Sequence, residues 1–95
     1  MKQPCVYILA GGCNRTLYVG VTSNLVQRVW QHEEGLIDGF TKRYDVHMLV
    51  WYEPHGSMES AIKREKAVKE WKRRWKLALI EKQNLTWRDL FEDLL

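Results

Sequence analysis

A chain of 95 residues with 45% hydrophobic and 12% aromatic content can bury a core, since domains of ~60 residues already fold alone, and its composition excludes a disordered polymer. Two cysteines are too few for a secreted disulfide framework, and no apolar run approaches the ~20 residues of a membrane span. The net charge is only +3, but it is unevenly spread. Between Ala61 and Lys82, Lys63, Arg64, Lys66, Lys69, Lys72, Arg73, Arg74, Lys76 and Lys82 face only Glu65, Glu70 and Glu81, so the rest of the chain is mildly acidic. Such a block suits a polyanionic partner, and it equally suits a solvated helix face.

In chain order, Cys5–Ala10 and Thr16–Val21 are short, β-branched and aromatic, and are separated by Gly11-Gly12-Cys13-Asn14-Arg15. This is a β-hairpin pattern. Its register stays open: with Ala10 facing Thr16 the tyrosines Tyr7 and Tyr18 point to opposite sides, and a single bulge would bring them to one side. Asn24 followed by Gln27 resembles a capping box, so a helix starts there. Its apolar residues Leu25, Val26, Val29, Trp30 and Leu36 span an arc of ~140°, with Arg28 and His32 just beyond the Leu25 edge. Gly35 and Gly39 bracket the helix end, and 40–44 reads as a linker.

Val46–Glu53 is nearly continuous in apolar residues and fits a buried strand better than an edge one. Pro54-His55-Gly56 ends it, and Ser57 can cap the next helix. Residues 58–83 are helical by pattern, with a break near Glu70-Trp71. Thr86 and Asp89 form another capping box, which predicts a short terminal helix. The expectation is one α+β domain over residues 1–95. It has a small, mainly antiparallel three-stranded sheet flanked by helices, in the order ββαβαα plus a short C-terminal helix. Pro4 and the short apolar run after it do not match a signal peptide. A cytoplasmic protein with reduced thiols is therefore expected.

Several residues carry chemistry. Two phenols (Tyr7, Tyr18), a guanidinium (Arg28) and an imidazole (His32) can meet beside the hairpin, and such groups suit attack on a phosphodiester. Met58, Ala61, Ile62 and Glu65 share a narrow arc, which places a carboxylate on the face expected to bury. Such a carboxylate needs a counter-charge: Arg28, a divalent metal with oxygen ligands, or a structural salt bridge. Trp71 and Trp75 read as core residues, although stacking on nucleic acid is the alternative use. His32, His47 and His55 with Cys5 and Cys13 show no zinc spacing.

Taken in order, these residues resemble the GIY-YIG nuclease superfamily. The likeness rests on Cys5-Val6-Tyr7, Tyr18-Val19-Gly20, Arg28, His32, Gly39-Phe40-Thr41, Leu49-Val50-Trp51-Tyr52-Glu53 and Ala61–Lys66. It runs on through Leu79-Ile80 and Asn84–Leu90. It is nearest to the small, single-domain bacterial members similar to the amino-terminal domain of excinuclease C. The resemblance implies a metal-dependent DNA endonuclease, in a setting such as DNA repair or recombination. It implies Tyr7 as general base, directly or through water, Tyr18 as its orienting partner or a phosphate contact, and Arg28 as stabiliser of phosphate charge. His32 would assist proton transfer or hold the nucleophile, and Glu65 would hold one Mg²⁺ or Mn²⁺.

Lys63, Lys66, Lys69, Lys72 and Arg73 are the candidate DNA contacts, with structured or single-stranded DNA both open. Targeting could rely on a partner protein, and a homodimer would let two sites cut two strands. Cys5 stands where the motif has Gly, and Val6 and Val19 stand where it has Ile. Asn84 is a weak match to a later site Asn. The alternative reading is a catalytically silent nucleic-acid-binding module.

Overall fold

The computed structural model of the chain describes residues 3–11, 16–37 and 39–95. Strands β1 (Cys5–Gly11) and β2 (Leu17–Thr22) are followed by helix α1 (Leu25–Glu33), short helix α2 (Phe40–Arg43) and strand β3 (Val46–Pro54). Helices α3 (Met58–Glu70) and α4 (Arg73–Gln83) and a 3-10 turn at Phe91–Leu94 complete the chain. This is the expected α+β order, with a three-stranded antiparallel sheet arranged β2-β1-β3. Cys13 and residues 12–15 of the hairpin loop lie outside the described residues.

β1 is central and buried along its whole length. Its alternation sends Val6, Ile8 and Ala10 to one face, with Ala61 and Val68 of α3 and Ile80 of α4. Cys5, Tyr7 and Leu9 face the other way, onto Leu25 and Val29 of α1 and Leu49 of β3. The helix boundaries have local causes. Asn24 Oδ1 accepts from Gln27 N (3.2 Å), and Ser57 Oγ accepts from Ser60 N (3.2 Å), so both expected caps form. α1 stops at Gly35 (φ 68°), where Gly35 N bonds His32 O and Leu36 N bonds Gln31 O. This left-handed stop favours glycine. The long helical stretch breaks at Trp71, whose extended backbone ends α3.

Several expectations are corrected. β3 is an edge strand of the sheet, not an interior one. Its apolar run is explained by cover on both faces and along its outer edge. Leu90 N donates to Leu49 O (2.8 Å), Leu49 N donates to Asp89 Oδ1 (3.3 Å), and Asn84 Nδ2 donates to Val50 O (3.1 Å). The chain's last segment thus protects an edge that would otherwise be open to pairing. Residues 40–43 form a helical turn rather than a linker. Asp89 spends its carboxylate on Leu49 and Phe91 N–H groups, so no helix starts at Thr86 and only the 3-10 turn follows.

On α1 the buried stripe is Leu25, Val29 and His32, spaced i, i+4, i+7, while Val26 and Trp30 face outward. On α3 the buried residues are Ala61 and Val68, and Met58 and Ile62 are exposed. Trp71 packs against the core as expected, but Trp75 is half exposed.

Asn84 is a structural residue. It is buried, its Nδ2 donates to Val50 O (3.1 Å) and Arg88 O (2.9 Å), and its Oδ1 accepts from Arg88 N (3.2 Å). Asn84→Ala would strand these backbone groups, and each unsatisfied buried group costs ~1–3 kcal/mol. A loss of about 2–4 kcal/mol of unfolding free energy is expected in urea titration. A loss below about 0.5 kcal/mol would show that these bonds do not anchor the C-terminal segment.

Candidate active site

The pairing of β1 with β2 decides the site. Tyr7 lies opposite Gly20 and Leu9 opposite Tyr18, without a bulge between these strands. This register is one step from the one that pairs Ala10 with Thr16, and it sends both tyrosines to the α1 face. The ring of Tyr7 lies over Gly20. A methyl group there would sit 2.5 Å from the Tyr7 Cζ and Oη atoms, so only glycine fits.

Helix α1 supplies the imidazole. Because His32 lies on the buried stripe with Leu25 and Val29, it points at the sheet and meets both phenols. Tyr7 Oη is 3.2 Å from His32 Nε2, and Tyr7–Tyr18 and Tyr18–His32 ring centroids are 6.2 and 5.5 Å apart. His32 Nδ1 is 2.9 Å from Thr41 Oγ1 on α2. Either neutral tautomer satisfies both contacts. If Tyr7 donates to Nε2, then Nδ1–H donates to Thr41, and the reverse arrangement works equally well. Sequence gives Thr41 no role. It enters there only within Gly39-Phe40-Thr41, one of the stretches that carry the family resemblance.

Arg28, one turn before His32, is partly exposed and forms no hydrogen bond or ion pair among the described residues. Its charge nevertheless acts on both Tyr7 and His32. Glu65 comes from α3, which packs across β1 and β2. Its side chain is 13% exposed, and its partner is Lys69 on the next turn, at 3.7 Å. Arg28 does not neutralise it. α3 is tied to β3 by Arg64, whose Nε donates to Glu53 Oε1 (3.2 Å), and Glu53 also meets His55 Nε2 (2.7 Å).

Burial shifts the site's titrations. The Tyr7 phenol is pushed well above its ordinary value, first by burial and then by Tyr18, while Arg28 pulls it down and Glu65 pushes it up. His32 is lowered to about 4, by burial and then by Arg28. The imidazole is therefore neutral at physiological pH, with one ring nitrogen free to accept a hydrogen bond.

The donor set limits the kind of metal that fits. Among the described residues no three His, Cys, Asp or Glu side chains cluster as a cage. A single carboxylate with one loose ammonium partner suits a hard ion such as Mg²⁺ or Mn²⁺, which keeps its waters and takes substrate phosphate as further ligands. Lys63, Lys66, Lys69, Lys72 and Arg73 are all exposed. Of these, Lys69 borders a cleft of about 360 Å³ beside Tyr18, and Lys76, which lies outside that set of candidate contacts, borders it too. Cys5 is buried with its thiol pushed up, away from nucleophilic use.

Known proteins share the family and the fold of this chain. A family model described as the GIY-YIG catalytic domain matches residues 3–78. A UPF0213 protein of Staphylococcus haemolyticus is 34% identical over 83 residues, covering 87% of this chain and all of that protein. A UPF0213 protein of Syntrophus aciditrophicus is 38% identical over 85 residues, covering 88% of this chain and 95% of that protein. The solution NMR structure of a UPF0213 protein from Bacillus halodurans matches with a TM-score of 0.59 and 26% identity, covering 92% of each chain.

The lowered His32 has a consequence for stability. Between pH 6.5 and about 4 the unfolded imidazole binds more protons than the folded one, so stability rises with pH and is lost as acid is added. In that window wild type should lose about 2 kcal/mol more than His32→Gln between pH 7 and pH 4.5, measured by urea denaturation. Equal losses in the two proteins would mean that His32 is not held neutral by the fold.

Proposed function

This chain belongs to the GIY-YIG family, and on that footing we propose that it is a metal-dependent endonuclease that hydrolyses phosphodiester bonds in DNA. The observation that carries the reading is the convergence of Tyr7, Tyr18 and neutral His32 within hydrogen-bond or ring contact, where the charges of Arg28 and Glu65 also act. A satisfied core tyrosine needs one hydrogen-bond partner; it does not need a cation and a nearly buried carboxylate beside it.

The division of labour follows from the atoms present. Because burial opposes a standing phenolate, Tyr7 works as one link of a relay. Its oxygen takes a proton from the attacking water as its own proton passes to His32 Nε2, and Thr41 holds Nδ1. Transfer through a positioned group of this kind contributes about 10²–10⁴ in rate. Tyr18 packs beside both groups and orients the nucleophile or the phosphate. Arg28, without a protein anion of its own among the described residues, presents its planar fork to the phosphoryl oxygens. Glu65 would hold the divalent ion. When bound, that ion supplies positive charge to the phosphate and leaving oxygen. Lys63, Lys66, Lys69, Lys72 and Arg73 give the backbone a basic surface, with affinity that falls as salt rises.

The test uses labelled single-stranded, duplex and branched DNA with Mg²⁺, Mn²⁺ or EDTA. Wild type should cut only with metal. Arg28→Ala and Glu65→Ala should lose cutting by more than about a hundredfold, with Glu65→Ala still binding DNA. Binding by wild type without cutting on every DNA would make the chain a silent binding module. Full activity in either mutant would remove these site assignments.

A further inference from the structure

The cleft beside the site is lined by Leu17, Tyr18 and Val19 of β2 and by Lys69 and Lys76 of α3 and α4. Its about 360 Å³ lies at the low end of ligand pockets, ~300–1,000 Å³. Two of its lining residues tie it to the site. Tyr18 touches Tyr7 and His32, and Lys69 is the ion-pair partner of Glu65. One ammonium therefore stands between two anionic tasks: balancing the Glu65 carboxylate, and facing whatever enters the cleft.

We infer that this cleft is a subsite for a backbone phosphate next to the cleaved bond, and that Lys69 moves between Glu65 and that phosphate. The inference rests on the reading of Glu65 as the metal-holding carboxylate. The two lysines and the apolar Leu17 and Val19 that line the cleft together match the two parts of a nucleotide: a charged phosphate and a less polar sugar. The Lys69–Glu65 pair is poised to open. It is long, at 3.7 Å, and the Lys69 side chain is 62% exposed, so little is lost when it separates.

In the free protein Lys69 competes with a divalent ion for Glu65. A phosphate in the cleft draws Lys69 away and leaves the carboxylate to the metal. Metal and substrate then strengthen each other's binding, as linkage requires. An ion is thus favoured at the site when DNA is there to be cut.

Mn²⁺ binding, read by electron paramagnetic resonance without nucleic acid, tests the switch. Lys69→Met keeps the aliphatic stem and removes the charge. It should bind Mn²⁺ about two- to fivefold more tightly than wild type, the scale of an exposed ion pair. Lys76→Met should leave that affinity unchanged. Binding of a deoxydinucleotide phosphodiester, followed by NMR in metal-free buffer, tests the subsite. It should weaken in both lysine variants, with shifts at Leu17 and Val19.

Unchanged Mn²⁺ affinity in Lys69→Met, with the ion lost in Glu65→Gln, overturns the switch while the metal assignment stands. Unchanged dinucleotide affinity in both lysine variants overturns the subsite. If Glu65→Gln binds Mn²⁺ as wild type does, the metal assignment fails and the switch fails with it.

Discussion

The site depends on the seating of one buried phenol. Tyr7 sits on the central strand, where nothing but protein surrounds it, and its ring needs a position across the sheet with no side chain. Gly20 is that position. Its hydroxyl also needs a partner, because an unsatisfied buried polar group costs a sizeable share of a small domain's stability. His32 is that partner. The same two demands place β2 in register, turn α1 so that His32 faces inward, and bring Thr41 of α2 against the far side of the imidazole.

Around that contact the electrostatics are arranged by depth. His32 and Tyr7 are buried and both are held in their neutral forms, the first lowered and the second raised. Arg28 is partly exposed and Glu65 nearly buried, and both act electrostatically on Tyr7. The result is a neutral Tyr7–His32 hydrogen bond flanked by one cation and one anion, the arrangement the proposed hydrolysis calls for. The opposite sheet face does different work. Ala61 and Val68 seat α3 on the sheet, and Arg64 with Glu53 ties it to β3, so that Glu65 reaches the rim of the site.

Much of this is legible in the sequence, for specific reasons. The hairpin, the caps at Asn24 and Ser57 and the helix break near Trp71 all follow from local chemistry, and all are present. Tyr7, Tyr18, Arg28, His32 and Glu65 stand out through their order in the family resemblance, and the fold brings Tyr7, Tyr18 and His32 into contact.

What stays hidden is what long-range packing decides. Hairpin register cannot be read when the loop length allows two solutions. The buried faces of α1 and α3 are misplaced by periodicity because Val26, Trp30, Met58 and Ile62 are apolar yet exposed. β3 looks interior because the C-terminal segment covers its edge from 40 residues away. Thr41 lies in a stretch of the family resemblance and Lys76 in the basic block, but what each approaches is set by packing and not by local sequence.

The most direct measurement is single-turnover DNA cleavage by Tyr7→Phe beside wild type, with the fold checked by NMR and DNA affinity measured in the same buffer. The substitution keeps the ring over Gly20 and removes only the hydroxyl that meets His32. The expected result is an unchanged fold and affinity with cleavage slowed by about a hundredfold or more. Cleavage at the wild-type rate would contradict the assignment of Tyr7 as the proton-transferring group at the centre of this site.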